Sequence, residues 1–484
     1  MDAEQIRQLK PKLNDFLARF ADCFRRDTRE HFPVYVEGQL SDLPRKSIEP
    51  IALKAKVPVR TLQHFVSRHR WNEDRLRQQL QEIVVAEHSS PAALGIFDET
   101  SDDKKGDKTP GVQRQYCGSL CKQENCIVTV HLGYAVNDFH CLLDGELFLP
   151  ESWAADRERC REAGIPETMV YRPKTEIALE LYDRARANGV TFDYVTFDEW
   201  YGSKPDFLRA LDKHEQKWVG EVPKTFMAWS EPPAVVTRRF RRHSRGRGRQ
   251  TPRRAAGSRK PRTVEALLRY DPRLRDQPWK PFRTKDGEKG PIVWEAKHAL
   301  IYLPDERGLP LPQPYHLVVA RNMLDREEIK YFVGHAPPET PVTELLRVGF
   351  SRWHIERCFE DQKGEVGLDH FEGRRYLGLK RHLLLSAVSY LFLARVRQEL
   401  RGEKPGVDGV PGAHGGDRRG PQLVAERSGQ LAVIRANRRR NPLCPNPQRP
   451  SPQEPHQSHP TPTAGPRHSA FRPPAVPKRY ELAL

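Results

Sequence analysis

The chain has 484 residues, 37% of them hydrophobic, and a formal net charge of +17 from 81 Lys and Arg against 64 Asp and Glu. That length suits two to four domains, with a real core in part of the chain. No run approaches roughly 18 consecutive apolar residues, the N-terminus lacks the form of a signal peptide, and eight cysteines are too few for a disulfide scaffold, so the expectation is an intracellular, reducing compartment and no membrane.

In chain order, residues 1–88 read as an all-α region. Ile6, Leu9, Leu13, Leu17 and Phe20 recur at steps of three and four, one face of an amphipathic helix. Ile51 to Val66 has the outline of a helix-turn-helix. A short helix ends near Val57-Pro58, and a second begins about Arg60 with Leu62, Phe65 and Val66 inward. Arg60, Gln63, His64 and Arg68 then face outward, a set suited to phosphates or base edges; a plain helical hairpin is the alternative.

The period then changes. Leu94 to Phe97 is a short apolar run ending at Asp98, and Cys126 to Val136 is a longer β-rich run. Ile177, Leu181 and Ala185 mark a helix that stops at Asn188-Gly189. Phe192 to Phe197 is a second buried-type strand, ending at Asp198. Strand, strand, helix, strand predicts an α/β domain with carboxylates at strand ends, where the ligand sites of such sheets gather. Its two parts are assigned to 89–236 and 313–400.

Between them, 237–312 reads as a basic linker and a partly β insertion. From Thr237 to Arg262 there are 12 Lys and Arg and no acid, with Arg238, Arg239, Arg241 and Arg242 at its start. Residues 401–484 hold 14 basic and 6 acidic residues, so the two stretches carry +20 and the rest of the chain nets −3. The body is near neutral, and two peripheral basic segments point to a polyanion, nucleic acid before others; a solvated run is the alternative. Strands return at His316–Arg321 and Lys330–Val333. A long helix is predicted from Pro341 through Glu356, capped by Thr340 or Thr343, and another from about His382 to Leu400. After that, 15 of the 42 prolines and no sustained period predict a disordered tail over 401–484, such as a shifted reading frame would produce.

Three acids stand out: Asp98 and Asp198 at strand ends, and Glu356 on the late helix. Carboxylates gathered at one site repel one another unless a cation neutralises them, and hard divalent ions on carboxylate oxygens suit phosphoryl chemistry. Taken alone, such acids are as readily solvated loop residues. The surrounding words are more specific: Gly95-Ile-Phe-Asp-Glu-Thr100, Gly111-Val-Gln-Arg-Gln-Tyr116, Glu124-Asn125, Leu147-Phe-Leu-Pro-Glu-Ser-Trp153, Phe197-Asp-Glu-Trp-Tyr-Gly202, Arg352-Trp-His-Ile-Glu356, Lys363-Gly-Glu-Val-Gly-Leu-Asp369 and Phe371-Glu-Gly-Arg374. In this order they resemble the DDE-type transposases of bacterial insertion sequences, over about residues 10 to 400.

The resemblance implies an RNase H-like catalytic domain, with Asp98, Asp198 and Glu356 as the catalytic, metal-binding triad for Mg2+ or Mn2+. The family signature is Tyr, two residues, Arg, three residues, Glu, six residues, Lys. Arg352, Glu356 and Lys363 keep that spacing, and the resemblance places Arg352 and Lys363 on phosphates of the element's ends. Steps of four and seven put all three on one helix face. The tyrosine position is Gly349, with Phe350 beside it as a substitute stacking face. Cys117, Cys121, Cys126 and His131 lack paired Cys-x-x-Cys spacing and read as buried thiols rather than zinc ligands.

The expected protein is thus a DNA transposase that cuts at the ends of its own element and joins them to target DNA, without a covalent protein–DNA intermediate. Its N-terminal helices would read terminal inverted repeats, its basic segment would hold DNA backbone, and a homodimer would pair two ends in the bacterial cytoplasm, at the nucleoid. Two rivals remain open: an RNase H-like nuclease without strand transfer, and a regulatory or inactive DNA-binding remnant.

Overall fold

The computed structural model describes residues 3–239, 250–287 and 290–400; the tail expected to be disordered, 401–484, lies outside the described residues. The first 88 residues form α1 (Ala3–Ala18), α2 (His31–Gln39), α3 (Ile48–Ala55), α4 (Val59–Ser67) and α5 (Glu73–His88). Their apolar stripes turn inward: Leu13, Phe16, Leu17 and Phe20 on and just after α1, Leu62, Phe65 and Val66 on α4. α5 starts where Asn72 accepts a hydrogen bond from the Arg75 amide at 2.9 Å. Glu73 and Asp74 in its first turn favour the positive helix end.

Among the described residues one large mixed sheet has ten strands: β1 (Leu94–Asp103), β2 (Gln113–Cys117), β3 (Lys122–Val136), β4 (Phe139–Leu147), β5 (Tyr194–Phe197), β6 (Trp218–Val222), β7 (Lys280–Gly287), β8 (Gly290–Ile301), β9 (Tyr315–Asn322) and β10 (Ile329–His335). The order is β7-β8-β9-β10-β6-β5-β1-β3-β2, with β4 also on β3. β1, β5 and β6 pair in parallel at the centre, and their outer neighbours are antiparallel. Helices cover both faces, so β1 and β4 are buried almost throughout and β3 from Cys126 to Ala135.

Part of the segment read as an insertion belongs to this sheet. β7 and β8 are bonded to it through β9, because Trp294 and Ala296 alternate onto the same core face as Val318, Ala320 and Phe332. What stands off the sheet lies between Val222 and Lys280. It includes a separate antiparallel ribbon of Val235–Arg239 with Gln250–Arg254, where a basic linker was expected.

α6 (Lys174–Ala187) buries Ile177, Leu181 and Ala185 and ends at Asn188, with Gly189 at φ +85°. The single helix expected from 341 through 356 is two helices, α7 (Val342–Phe350) and α8 (Trp353–Asp361). Pro341 stands at the start of α7 without a side-chain cap, and the Thr340 side chain bonds Tyr194 instead. The break has a local cause. The Ser351 hydroxyl bonds back to the Arg347 carbonyl at 2.5 Å, and the His354 ring takes the Ser351 carbonyl at 2.8 Å, two residues past Gly349.

α9 (Tyr376–Leu400) is long and apolar enough to cross a membrane, but 83% of its apolar window is buried inside the protein, as in a core helix. Its polar side chains meet α2: Tyr35 bonds His382 at 2.9 Å, and Gln39 bonds both Ser386 and Ser389 at 2.8 Å. The N-terminal helices and the central sheet thereby share one hydrophobic core.

Candidate functional site

The site begins with a register. Phe97 of β1 faces Phe197 of β5 across the parallel pair, so Asp98 and Asp198 follow side by side where that pairing ends, on strands about 4.8 Å apart. Asp98 Oδ1 accepts from the Glu99 amide at 2.8 Å. Asp198 caps the short helix Glu199–Gly202, accepting from the Tyr201 amide at 3.1 Å. Burial holds the Asp98 carboxyl well above the ordinary carboxylate range; Arg352 opposes this, and the charges of Asp198 and Glu99 add to it. Burial raises Asp198 as well, against Arg352 and with Glu99.

Glu356 arrives from α8. Ile355 of that helix packs over Gly133, where a side chain would stand 3.3 Å from it, and Phe359 meets the His131 ring on β3. That seats the first turn of α8 over the middle of β1, which runs on past Asp98 to Asp103 rather than ending at it. Arg352 links the two: one guanidinium nitrogen lies 2.9 Å from Asp98 Oδ2 and the other 2.5 Å from Glu356 Oε1. Glu356 remains half exposed. Among the described residues no three His, Cys, Asp or Glu side chains are gathered as a ready metal cage. The structure brings Asp98 and Asp198 together and joins Glu356 to them through an arginine.

The surrounding charges sort differently. Glu99 is paired with Lys174, and Glu221, one residue past the register partner of Phe197, holds Lys330 with both oxygens at 2.9 Å. Two neighbouring acids thus have a lysine each, while Arg352 pairs with both Asp98 and Glu356 and no ion pair reaches Asp198 among the described residues. Beside Asp198, the half-buried Trp200 ring has the Lys174 and Lys204 ammonium groups at 5.1 and 4.7 Å. Glu221 had a readable signal, an acid at the end of the third central strand. Lys174, Lys204 and Lys330 had none, because only the folded sheet brings them here.

Lys363 reaches the same strand as Arg352, four residues further along β1. Beyond Asp361 the helix widens into a π turn, Gln362–Val366, and Lys363 donates to the Ser101 carbonyl at 2.8 Å and pairs with Asp102 at 3.1 Å on β1. A side chain at Gly349 would meet the Phe332 ring at 2.9 Å, so tyrosine does not fit there. Phe350, half-buried at the core's margin, packs on Trp294 and Phe332.

Arg60 and Arg68 are exposed on and just after α4. Arg238 and Arg239 end one strand of the ribbon, and Arg241 and Arg242 lie outside the described residues. Cys117 and Cys126 are buried free thiols, and the ring of His131 bonds Thr129 at 2.8 Å.

A family profile described as DDE superfamily endonuclease matches residues 19–291, a span containing Asp98 and Asp198. The chain belongs to the DDE superfamily endonucleases. It is also similar to a probable transposase for insertion sequence element IS701 from Microchaete diplosiphon, 35% identical over 194 residues. That alignment covers 39% of this chain and 48% of the relative, so the chain matches about half the relative's length. In this DDE superfamily endonuclease the family match ends before Glu356, whose link to the two aspartates is the Arg352 bridge.

Proposed function

We propose that this DDE superfamily endonuclease is an insertion-sequence transposase with an RNase H-like catalytic domain, cutting at the ends of its element and joining them to target DNA. The observation that carries this reading is the set of three carboxylates where the parallel pairing ends: Asp98 and Glu356 on one arginine, with Asp198 beside Asp98. Three negative charges against one positive leave room for a divalent cation, and the donors are hard oxygens of the kind Mg2+ and Mn2+ prefer. Bound there, the metal would supply an activated water or hydroxyl and stabilise the leaving oxygen. Buried Asp98 on β1 and half-buried Asp198, fixed as the cap of the helix after β5, need little reorganisation to hold it. Half-exposed Glu356 closes the set from α8. Arg352 and Lys363 would engage the phosphates that flank the cut, and Arg60 and Arg68 on the N-terminal helices would meet the terminal repeats. The basic residues of 237–262, Arg238, Arg239, Arg241 and Arg242 included, would hold backbone. Two protomers would pair two ends, acting on the DNA of the nucleoid.

Purified full-length chain with duplexes of the element's ends, in Mg2+ or Mn2+, tests this. New 3′-hydroxyl ends, and joined product from pre-cut ends, are expected. Cutting without joining would leave a nuclease, and tight binding with no cutting in either metal would leave a regulator.

A further inference from the structure

We propose that Arg352 is the resident cation of the carboxylate site: it holds Asp98 and Glu356 together until DNA phosphate draws it away, so that divalent cation and DNA load cooperatively. This rests on the reading of the carboxylates as the metal ligands. The guanidinium spends its two terminal nitrogens on different partners, Asp98 Oδ2 on β1 and Glu356 Oε1 on α8, at 2.9 and 2.5 Å. No other ion pair joins these carboxylates to the chain among the described residues. A divalent cation ligated by the same oxygens would face a fixed positive charge a few ångströms away, so the two cations compete for one seat.

The seat itself is conditional. Arg352 stands at the N-terminal end of α8, a nine-residue helix, and a helix N-terminus carries partial positive charge that disfavours a cation. Only the carboxylates keep the guanidinium there. Once a metal neutralises them, both the metal and the helix end repel Arg352, and a phosphate is the partner its planar fork fits best. The way out is open, since the Arg352 side chain is 23% exposed and Glu356 52%. Because coupling between two ligands is reciprocal, phosphate that removes Arg352 must tighten metal binding by the same factor that metal tightens DNA binding. Such a device would keep the DNA-free chain poorly loaded with metal, and so limit stray cutting.

The test is Mn2+ titration of the full-length chain, reading free Mn2+ by electron paramagnetic resonance, with no turnover involved. Without DNA, Arg352→Gln should bind Mn2+ at least about tenfold more tightly than wild type. Arg352→Lys, a point charge reaching one carboxylate at a time, should fall between them. A short blunt duplex should tighten Mn2+ binding to wild type and leave Arg352→Gln nearly unchanged. Equal or weaker Mn2+ affinity in Arg352→Gln, with Asp98→Asn still abolishing binding, would overturn the placeholder and leave the metal site standing. Mn2+ binding indifferent to Asp98→Asn in every background would overturn the carboxylate site, and this proposal with it.

Discussion

Asp98 and Asp198 are neighbours because Phe97 and Phe197 are register partners on adjacent parallel strands. Asp98 lies on β1 and Asp198 in the one-residue junction between β5 and the helix it caps, and Asp198 has no ion-pair partner among the described residues. Burial holds its carboxyl above the ordinary range, so in the absence of metal the site stores repulsion that the fold opposes. Asp198→Asn should therefore stabilise the metal-free chain by roughly 0.5–2 kcal/mol, the usual sign when a strained site is neutralised, while ending metal-dependent cleavage and leaving DNA binding largely intact. Thermal melts in chelator and in Mg2+ check the first part: wild type should gain stability on adding metal, and the variant should not. A variant less stable than wild type in chelator would count against the stored repulsion.

Those two aspartates were legible in the sequence because each apolar run stops abruptly at an acid. So was the inward face of α4, which has one period and one core to meet. Other features depend on partners far along the chain. β4 contains Asp144 and Glu146, which argue against a buried strand until Arg77 and Arg184 meet Asp144 and Tyr376 meets Glu146. The break between α7 and α8 hides in Ser351, whose hydroxyl competes for a backbone carbonyl. Arg352 and Glu356 have the spacing of an ordinary helix-surface pair, and nothing local says that Asp98, 254 positions earlier, completes the bridge.

One buried arginine adds to the core and hydrogen bonds that tie the N-terminal helices to the rest. Arg381 of α9 pairs with Glu73, donates to the Phe65 carbonyl at 3.1 Å and to that of Val66 at 3.3 Å at the end of α4, and lies over the Trp71 ring. Arg381→Met keeps the bulk but strands the Glu73 carboxylate and the Val66 carbonyl, while the Phe65 carbonyl keeps the Trp71 indole at 3.0 Å. It should cost about 3 kcal/mol or more, and hydrogen exchange should report faster opening of α4 than of β1. An unchanged urea midpoint would mean that Trp71 and the apolar contacts hold α4 unaided.

Acid should weaken the fold through histidines buried neutral. Burial holds His131 and His382 down at about 4, and burial together with Arg397 holds His140 at about 3, against an ordinary 6.5. Between those values the unfolded chain binds more protons than the folded one, so stability falls as pH drops below 6.5 and keeps falling toward 4. Each such histidine contributes up to about 1.4 kcal/mol per pH unit. Asp98 and Asp198, held high, act in the opposite sense and blunt the decline. Urea midpoints across this range check the sign, and His382→Gln should flatten the slope by one proton's worth.

Lys363 is the last residue whose position changes what it can do. Its ammonium lies on the Ser101 carbonyl and beside Asp102, and the Asp102 oxygen it approaches has no hydrogen-bond partner in the described structure. Asp102 is buried, so a lysine that left entirely for a DNA phosphate would abandon a carboxylate away from water. Lys363→Ala should then destabilise the DNA-free chain by roughly 1–3 kcal/mol, before any effect on chemistry. Asp102→Asn removes the charge that the lysine serves. The double variant should recover much of that loss, and the cycle measures the coupling. The recovered protein separates bracing from phosphate contact. If Lys363 also reaches DNA, the stable double variant should still bind more weakly than Asp102→Asn alone, with a salt slope shallower by about 1. Equal binding and equal slope would confine Lys363 to holding β1, and with it Asp98, in place.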